Sequence, residues 1–356
     1  MRIVQILEVM SFGDAIGNHT IALHEMMDKN GIENIICARL IDKRLPHGMI
    51  TPIESYVKKP GDVIVYHLST GAELNRTVLN YDLPVIINYH NITPPEFFAG
   101  YNDVAVEACK SGLEDTVFLG KSNQVICAIA DSEFNKQDLL NMGYTCDVHA
   151  IPILMPFDDY KKKPDPMIRR KYKDGRTNIL FVGRVVPNKC QEDLITAFHY
   201  YQKYYNEDSR LLIGGSCTAV RNYRNRQLEY IKKLGTKNVV YPGQISFPGI
   251  LALYDLSDIF LCLSEHEGFC VPIVESMLFE LPIIAYNAGA VKDTMGEGGI
   301  ILDKKDPIEV AGVMDYLMKH SELQKQIIDN QKEQLARFDT EVVAKQFLEI
   351  LNTINK

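Results

Sequence analysis

The chain has no uninterrupted apolar run of the ~18 residues that a membrane span requires. Its first residues reach the strand-like run Ile3-Val4-Gln5-Ile6-Leu7 and then turn polar, without the longer apolar core or small-residue cleavage site of a secretory leader. A cytoplasmic protein is expected, with a peripheral contact at the inner membrane face left open. Basic residues are also in deficit. The 38 Lys and Arg stand against 46 Asp and Glu, for a net charge of -8. Neutralising a phosphate backbone calls for a broad basic surface, so nucleic acid is excluded as a partner. No Cys-x-x-Cys pair occurs among the eight cysteines, Cys37, Cys109, Cys127, Cys146, Cys190, Cys217, Cys262 and Cys270, which sit mostly within apolar runs. Reduced core thiols are expected, rather than zinc ligands or disulfides.

With 46% apolar and 24% charged residues the composition is that of an ordinary globular protein, and 356 residues exceed one hydrophobic core. At about 150 residues per domain, two domains are expected. Short apolar runs predict strands at 3–7, 34–37, 62–67, 85–90, 125–130 and 148–151, with helices at 17–30, 101–120 and 134–142 between them. The apolar pattern then lapses into Asp158-Asp159-Tyr160-Lys161-Lys162-Lys163-Pro164-Asp165-Pro166. Such a shift marks an interdomain linker, placed at 161–176. A second alternation follows, with strands at 178–183, 210–213, 239–241, 259–263 and 283–286. Its helices fall at 191–204, 220–234 and 271–280, and three more close the chain at 307–319, 322–336 and 340–354. Alternation of this kind predicts an α/β protein of two Rossmann-like doubly wound domains facing each other across a cleft, 1–160 and 177–339. Helix 340–356 is expected to complete the N-terminal domain.

The stretch 264–276, Ser-Glu-His-Glu-Gly-Phe-Cys-Val-Pro-Ile-Val-Glu-Ser, reads as loop and helix after an apolar strand. Pro272 suits the first turn of that helix. The backbone N–H groups of Gly268, Phe269, Cys270 and Val271 would then face an anion at the carboxyl end of a parallel sheet. Glu267 and Glu275 flank this position. Carboxylates repel phosphate but accept from hydroxyls, so a ligand carrying both groups fits, namely a nucleotide sugar. Gly183, Arg184 and Lys189 fall in another strand-end loop, where guanidinium and ammonium can reach one diphosphate. Near the N-terminus, Gly13, Asp14, Ala15 and Gly17 form a strand-to-helix turn that admits close backbone approach, although the spacing is not Gly-x-Gly-x-x-Gly and a tight structural turn is the plain alternative. His90 ends a strand, and its position rather than its residue type makes it a candidate, since a lone His is more often structural. Glu96-Phe97-Phe98 reads as ordinary loop packing.

Taken together, Phe181-Val182-Gly183-Arg184-Val185-Val186-Pro187-Asn188-Lys189, Gly243, Ser264-Glu265-His266-Glu267-Gly268-Phe269 and Glu275 resemble the retaining glycosyltransferases of family 4, with the GT-B fold. The Glu-x7-Glu spacing runs from Glu267 to Glu275. The resemblance covers nearly the whole chain and is strongest over 178–299. Gly13-Asp14-Ala15-Ile16-Gly17 departs from the family's usual Gly-Gly loop.

The resemblance implies that Arg184 and Lys189 bind the donor diphosphate and stabilise it as it leaves. It implies that Glu275 accepts from the ribose hydroxyls, and that Glu267 with the backbone of Gly268, Phe269 and Cys270 holds the donor sugar. His90 would meet the sugar's hydroxymethyl edge, residues 13–17 would line the phosphate and acceptor side, and the base would lie near Gly243, Gln244 and Ile245. The implied reaction moves a hexosyl group, with retention, from a UDP- or GDP-linked sugar to a glycan, lipid-linked or small-molecule acceptor in cell-surface polysaccharide or glycoconjugate synthesis. No cofactor or metal is expected. The chain has no Asp-x-Asp motif, and Arg and Lys would take the place of a divalent cation. Three rivals use similar domains: a sugar-nucleotide 2-epimerase, an NAD-dependent oxidoreductase, whose glycine fingerprint is missing, and a non-catalytic nucleotide-sugar-binding protein.

Overall fold

Parallel strands joined by helical crossovers are covered on both faces, so their sequences read as apolar runs rather than as alternations. The computed structural model, in which residues 1–243 and 245–354 are described, has two sheets of this kind. The first holds β1 (Arg2–Met10), β2 (Asn34–Ile41), β3 (Ile50–Pro52), β4 (Asp62–Leu68), β5 (Val85–Tyr89), β6 (Val125–Ala130) and β7 (Asp147–Ala150). The second holds β8 (Thr177–Val182), β9 (Ser209–Gly214), β10 (Val239–Gly243), β11 (Ile259–Cys262), β12 (Ile283–Tyr286) and β13 (Ile300–Leu302). Their orders are β3-β2-β1-β4-β5-β6-β7 and β10-β9-β8-β11-β12-β13, with every pairing parallel.

Each order reverses once. In the first sheet the reversal lies between β1 and β4, and in the second between β8 and β11, where Ile259 pairs with Ile179 and Phe260 with Leu180. Crossovers from the two strands at a reversal leave toward opposite faces, which opens a crevice at their carboxyl ends. The loops that hold Gly183 to Lys189 and Ser264 to Cys270 both start there.

The chain divides into two compact units. One comprises Met1–Glu96, Asp103–Phe157 and the chain from Arg337, and the other Phe97–Asn102 and Asp158–Ala336. Helix Thr340–Ile354 carries Val343, Ala344, Phe347 and Leu351 on one stripe, which joins Ile3, Leu23, Ile86 and Ile129 in the core of the first unit. Burial of a side chain such as Phe347 or Leu351 contributes about 1.5–3 kcal/mol. In the second unit Phe98 and Tyr101 pack against the core, and the Tyr101 ring meets Tyr223 edge-on at 5.3 Å.

The stretch whose composition marks a linker contains a helix, Pro166–Tyr172. Asp165 caps it, accepting from the Met167 and Ile168 N–H groups at 2.8 and 3.2 Å, and Arg169, Arg170 and Lys171 favour its C-terminal end. Tyr172 anchors it in the second core. With so few apolar residues, seven residues show no helical period. β3 and β13, at three residues each, are too short for the same reason. No helix among the described residues is long and apolar enough to cross a membrane.

Candidate functional site

The two loops at the β8–β11 reversal are stitched together by hydrogen bonds to main-chain carbonyls before any charged group is considered. Glu265 N–H donates to the Asn188 carbonyl at 2.9 Å, and the buried Asn188 amide donates to the His266 carbonyl at 3.2 Å. Gly183 N–H donates to the Gly214 carbonyl at 2.8 Å. A Cβ on Gly215 would overlap the Gly183 carbonyl, so the end of β9 can lie this close only as glycine. Arg184 stands exposed beside Gly183 and takes part in no ion pair among the described residues.

Lys189 and Glu267, expected as separate ligand contacts, form one ion pair. Nζ lies 2.6 Å from Oε2, with side chains 18% and 7% exposed. Burial alone would lower the Lys189 pKa, but the neighbouring Glu267 carboxylate and its hydrogen bond outweigh it and hold Lys189 above the usual lysine range. Glu267 is fixed in turn by the 287–291 segment that follows β12. Ala290 N–H donates to the Glu267 carbonyl at 2.9 Å. Gly289 has φ +56°, and a Cβ there would overlap that carbonyl. Gly289→Ala is therefore expected to cost at least ~1–3 kcal/mol of stability, read by equilibrium denaturation. A loss below about 0.5 kcal/mol, the range of indifferent surface changes, would show that the loop adapts freely.

Glu275 lies one turn into helix Val271–Leu278, which starts from Cys270 in the left-handed region (φ +69°) with Pro272 in its first turn. Its carboxylate is buried and held by two phenols. Tyr254 donates to Oε2 at 2.6 Å and Tyr160 to Oε1 at 2.9 Å. Burial raises the Glu275 pKa above the usual carboxylate range, against the downward pull of the two hydroxyl bonds. Each carboxylate oxygen keeps a second acceptor site, enough for two neighbouring hydroxyls. Sequence reasoning missed both tyrosines. Tyr160 lies in a charged run 115 residues away and Tyr254 on helix Phe247–Asp255, so no local pattern links them to Glu275. Gly268 and Val271 are partly exposed at the helix start, whereas Phe269 and Cys270 are buried, and Thr294 donates to the Phe269 carbonyl at 2.6 Å. Gly243 ends β10 with φ +80°, and Gln244 lies outside the described residues.

In the first unit, the β1 loop leads into helix Ala15–Lys29 as a tight turn. Asp14 caps the helix by accepting from Gly17 N–H at 2.6 Å, and Gly13 has φ +73°. A Cβ on Gly17 would come within 2.5 Å of the Ser11 carbonyl oxygen. Gly13, Asp14 and Gly17 thus have a complete structural account, and Ala15 is half-buried beside them. The His90 ring faces inward. Its Nδ1 lies 2.9 Å from Asp131 Oδ2 and its Nε2 2.9 Å from His67 Nδ1. His67 Nε2 meets Gln5 Oε1 at 3.1 Å, while the Gln5 amide donates to the Thr20 carbonyl at 3.2 Å. Gln5 therefore turns its acceptor to His67, which carries its proton on Nε2. Burial keeps His67 and the adjacent His19 well below the usual histidine range, and neighbouring His90 adds to the effect. With its side chain 1% exposed and both nitrogens engaged, His90 would have to leave Asp131 and His67 to meet a sugar hydroxymethyl group.

Residues 165–334, nearly all of the second unit's contiguous chain, match the family model described as Glycosyl transferases group 1. The capsular polysaccharide biosynthesis glycosyltransferase CapM of Staphylococcus aureus is 27% identical over 180 residues, 49% of this chain and 46% of CapM. The chain thus aligns with less than half the length of that relative. Solved structures match end to end. Sucrose-phosphate synthase from Thermosynechococcus elongatus has a TM-score of 0.80 at 16% identity, covering 99% of this chain and 98% of that one. Anabaena HepE in complex with UDP and glucose has a TM-score of 0.76 at 17% identity, covering 99% and 100%. The fold is GT-B, with two Rossmann-like α/β domains. The expected glycosyltransferase class is borne out by the domain at 165–334.

Proposed function

We propose that the whole chain is a metal-independent retaining glycosyltransferase of family 4, moving a hexosyl group from a UDP- or GDP-linked sugar to an acceptor hydroxyl. The acceptor is a glycan, a lipid-linked saccharide or a small molecule, and the setting is cell-surface polysaccharide or glycoconjugate synthesis. One observation carries this reading. At the strand reversal of the second unit, the Lys189–Glu267 pair and the phenol-held Glu275 lie at the start of one helix, and an exposed Arg184 stands on the neighbouring loop that follows β8. The group 1 match, the similarity to CapM and the UDP and glucose seen in HepE support it.

As the bond to the anomeric carbon lengthens, negative charge grows on the departing diphosphate. Cationic groups that hold this charge more tightly than the ground state lower the barrier, which is the task of Arg184 and Lys189. Glu267 aims Lys189 and accepts from a sugar hydroxyl. Glu275 accepts from the ribose hydroxyls. The acceptor attacks on the face the diphosphate leaves, so configuration is retained without a carboxylate nucleophile of the glycosidase kind.

A thermal-shift panel of nucleotide sugars tests this reading. The true donor at 100 times its Kd should stabilise the native state by about 2.7 kcal/mol. Release of UDP or GDP only when an acceptor is supplied distinguishes transfer from 2-epimerisation, which interconverts the sugar without an acceptor. A panel in which no UDP- or GDP-sugar shifts the melting point would overturn the proposal.

A further inference from the structure

We propose that Cys262, Glu267 and Cys270 form a binding site for a soft divalent cation of the zinc class, whose occupancy inhibits the proposed transfer. Cys262 ends β11, Cys270 opens helix Val271–Leu278, and Glu267 lies on the loop between them. The loop folds back so that the two Sγ atoms and a Glu267 carboxylate oxygen all lie within 4.8 Å of one another, and all three residues are buried. Two ligands on a tetrahedral ion with metal–sulfur bonds of ~2.3 Å stand about 3.8 Å apart, so small rotations suffice to close the cluster. Two thiolates and a carboxylate suit zinc or cadmium better than magnesium or calcium.

Charge balance favours the same ion. The metal-free site places the two cysteines beside the Lys189–Glu267 ion pair. A dication that displaces two thiol protons to solvent, Zn²⁺ + 2 RSH giving Zn(SR)₂ + 2 H⁺, leaves the buried charge unchanged and avoids the cost of an uncompensated ion. Lys189 occupies Oε2 of Glu267, and a carboxylate has a second oxygen to offer. Ser264 Oγ, 3.4 Å from Cys262 Sγ, or a water completes a fourth position. A seven-residue spacer between the cysteines is no recognised zinc spacing, so the sequence alone showed only separate core thiols. Drawing Glu267 toward sulfur would loosen its hold on Lys189. The inhibition rests on the function proposed above, whereas the binding does not.

The test titrates the full-length, metal-free protein with Cd²⁺ and with Zn²⁺. One Cd²⁺ per chain should produce an ultraviolet thiolate-to-cadmium charge-transfer band, and calorimetry in two buffers should show two protons released. Cys262→Ser should lose the band and weaken Cd²⁺ by at least the ~10- to 100-fold that loss of an outer-shell partner costs. Should that variant fold poorly, Cys270→Ala read by the same band keeps the test decisive. In a transfer assay, Zn²⁺ should inhibit the wild type reversibly on chelation, while Cys262→Ser keeps its metal-free rate and resists Zn²⁺. No charge-transfer band, or the same band in both variants, would overturn the site. A band without any nucleotide-sugar binding would leave the metal site standing and remove the proposed reaction.

Discussion

Lys189→Ala is expected to lower kcat by about 10²–10³, the loss that follows removal of one group aimed at developing negative charge. It should also destabilise the second unit, because Glu267 would keep a carboxylate that is 7% exposed without its 2.6 Å partner. Breaking a fully buried pair costs about 3–5 kcal/mol, and the partial exposure of Lys189 places this one at or below the lower end. Arg184 separates the two effects. It is exposed and in no ion pair among the described residues, so Arg184→Ala should reduce turnover comparably while leaving denaturation midpoints unchanged. A Lys189→Ala, Glu267→Gln double variant should regain stability without regaining rate, since no buried charge is then left alone. Normal turnover per folded molecule in Lys189→Ala would show that the pair only braces the loop.

Glu275→Gln should weaken nucleoside diphosphate binding by roughly 10- to 100-fold, because hydrogen bonds to a charged acceptor are worth about 1.5–3 kcal/mol. The loss should fall on affinity rather than on kcat if the carboxylate holds ribose. Preference for ribose over the 2′- and 3′-deoxy forms should shrink with it. Stability should move the other way. Burial raises the Glu275 pKa in the folded state above its unfolded value, so this group's contribution is fully present below the ordinary glutamate range and is lost as pH rises through the raised value. At neutral pH the ionised carboxylate is therefore a cost, which the Tyr160 and Tyr254 hydroxyls offset only in part. Glu275→Gln should be as stable as the wild type or more so at neutral pH, and the gain should vanish on acidification. Tyr254→Phe should instead lose about 1–3 kcal/mol by leaving a buried oxygen short of a donor. Unchanged affinity for both ribose and deoxyribose diphosphates in Glu275→Gln would remove the carboxylate from the nucleotide site.

The sequence by itself determined the doubly wound class and the strand-end loops to which the chemistry is assigned. Strands such as Ile259–Cys262 and helices such as Gln191–Tyr204 announce themselves through apolar runs and a 3.6-residue period, both local signals. A motif at the end of a buried parallel strand faces the crevice whatever the remaining chain does, so Arg184, Lys189, Glu267 and Glu275 were legible as a group. Only the tertiary structure decided how these groups are partnered. It joined Lys189 to Glu267, set Tyr160 and Tyr254 on Glu275, turned His90 onto Asp131 and His67, and brought Cys262 near Cys270. Such partnerships depend on which strands become neighbours and in what register. Sheet order is settled by long-range packing, and spacing along the chain does not encode the distance between two strand-end loops until β8 lies beside β11.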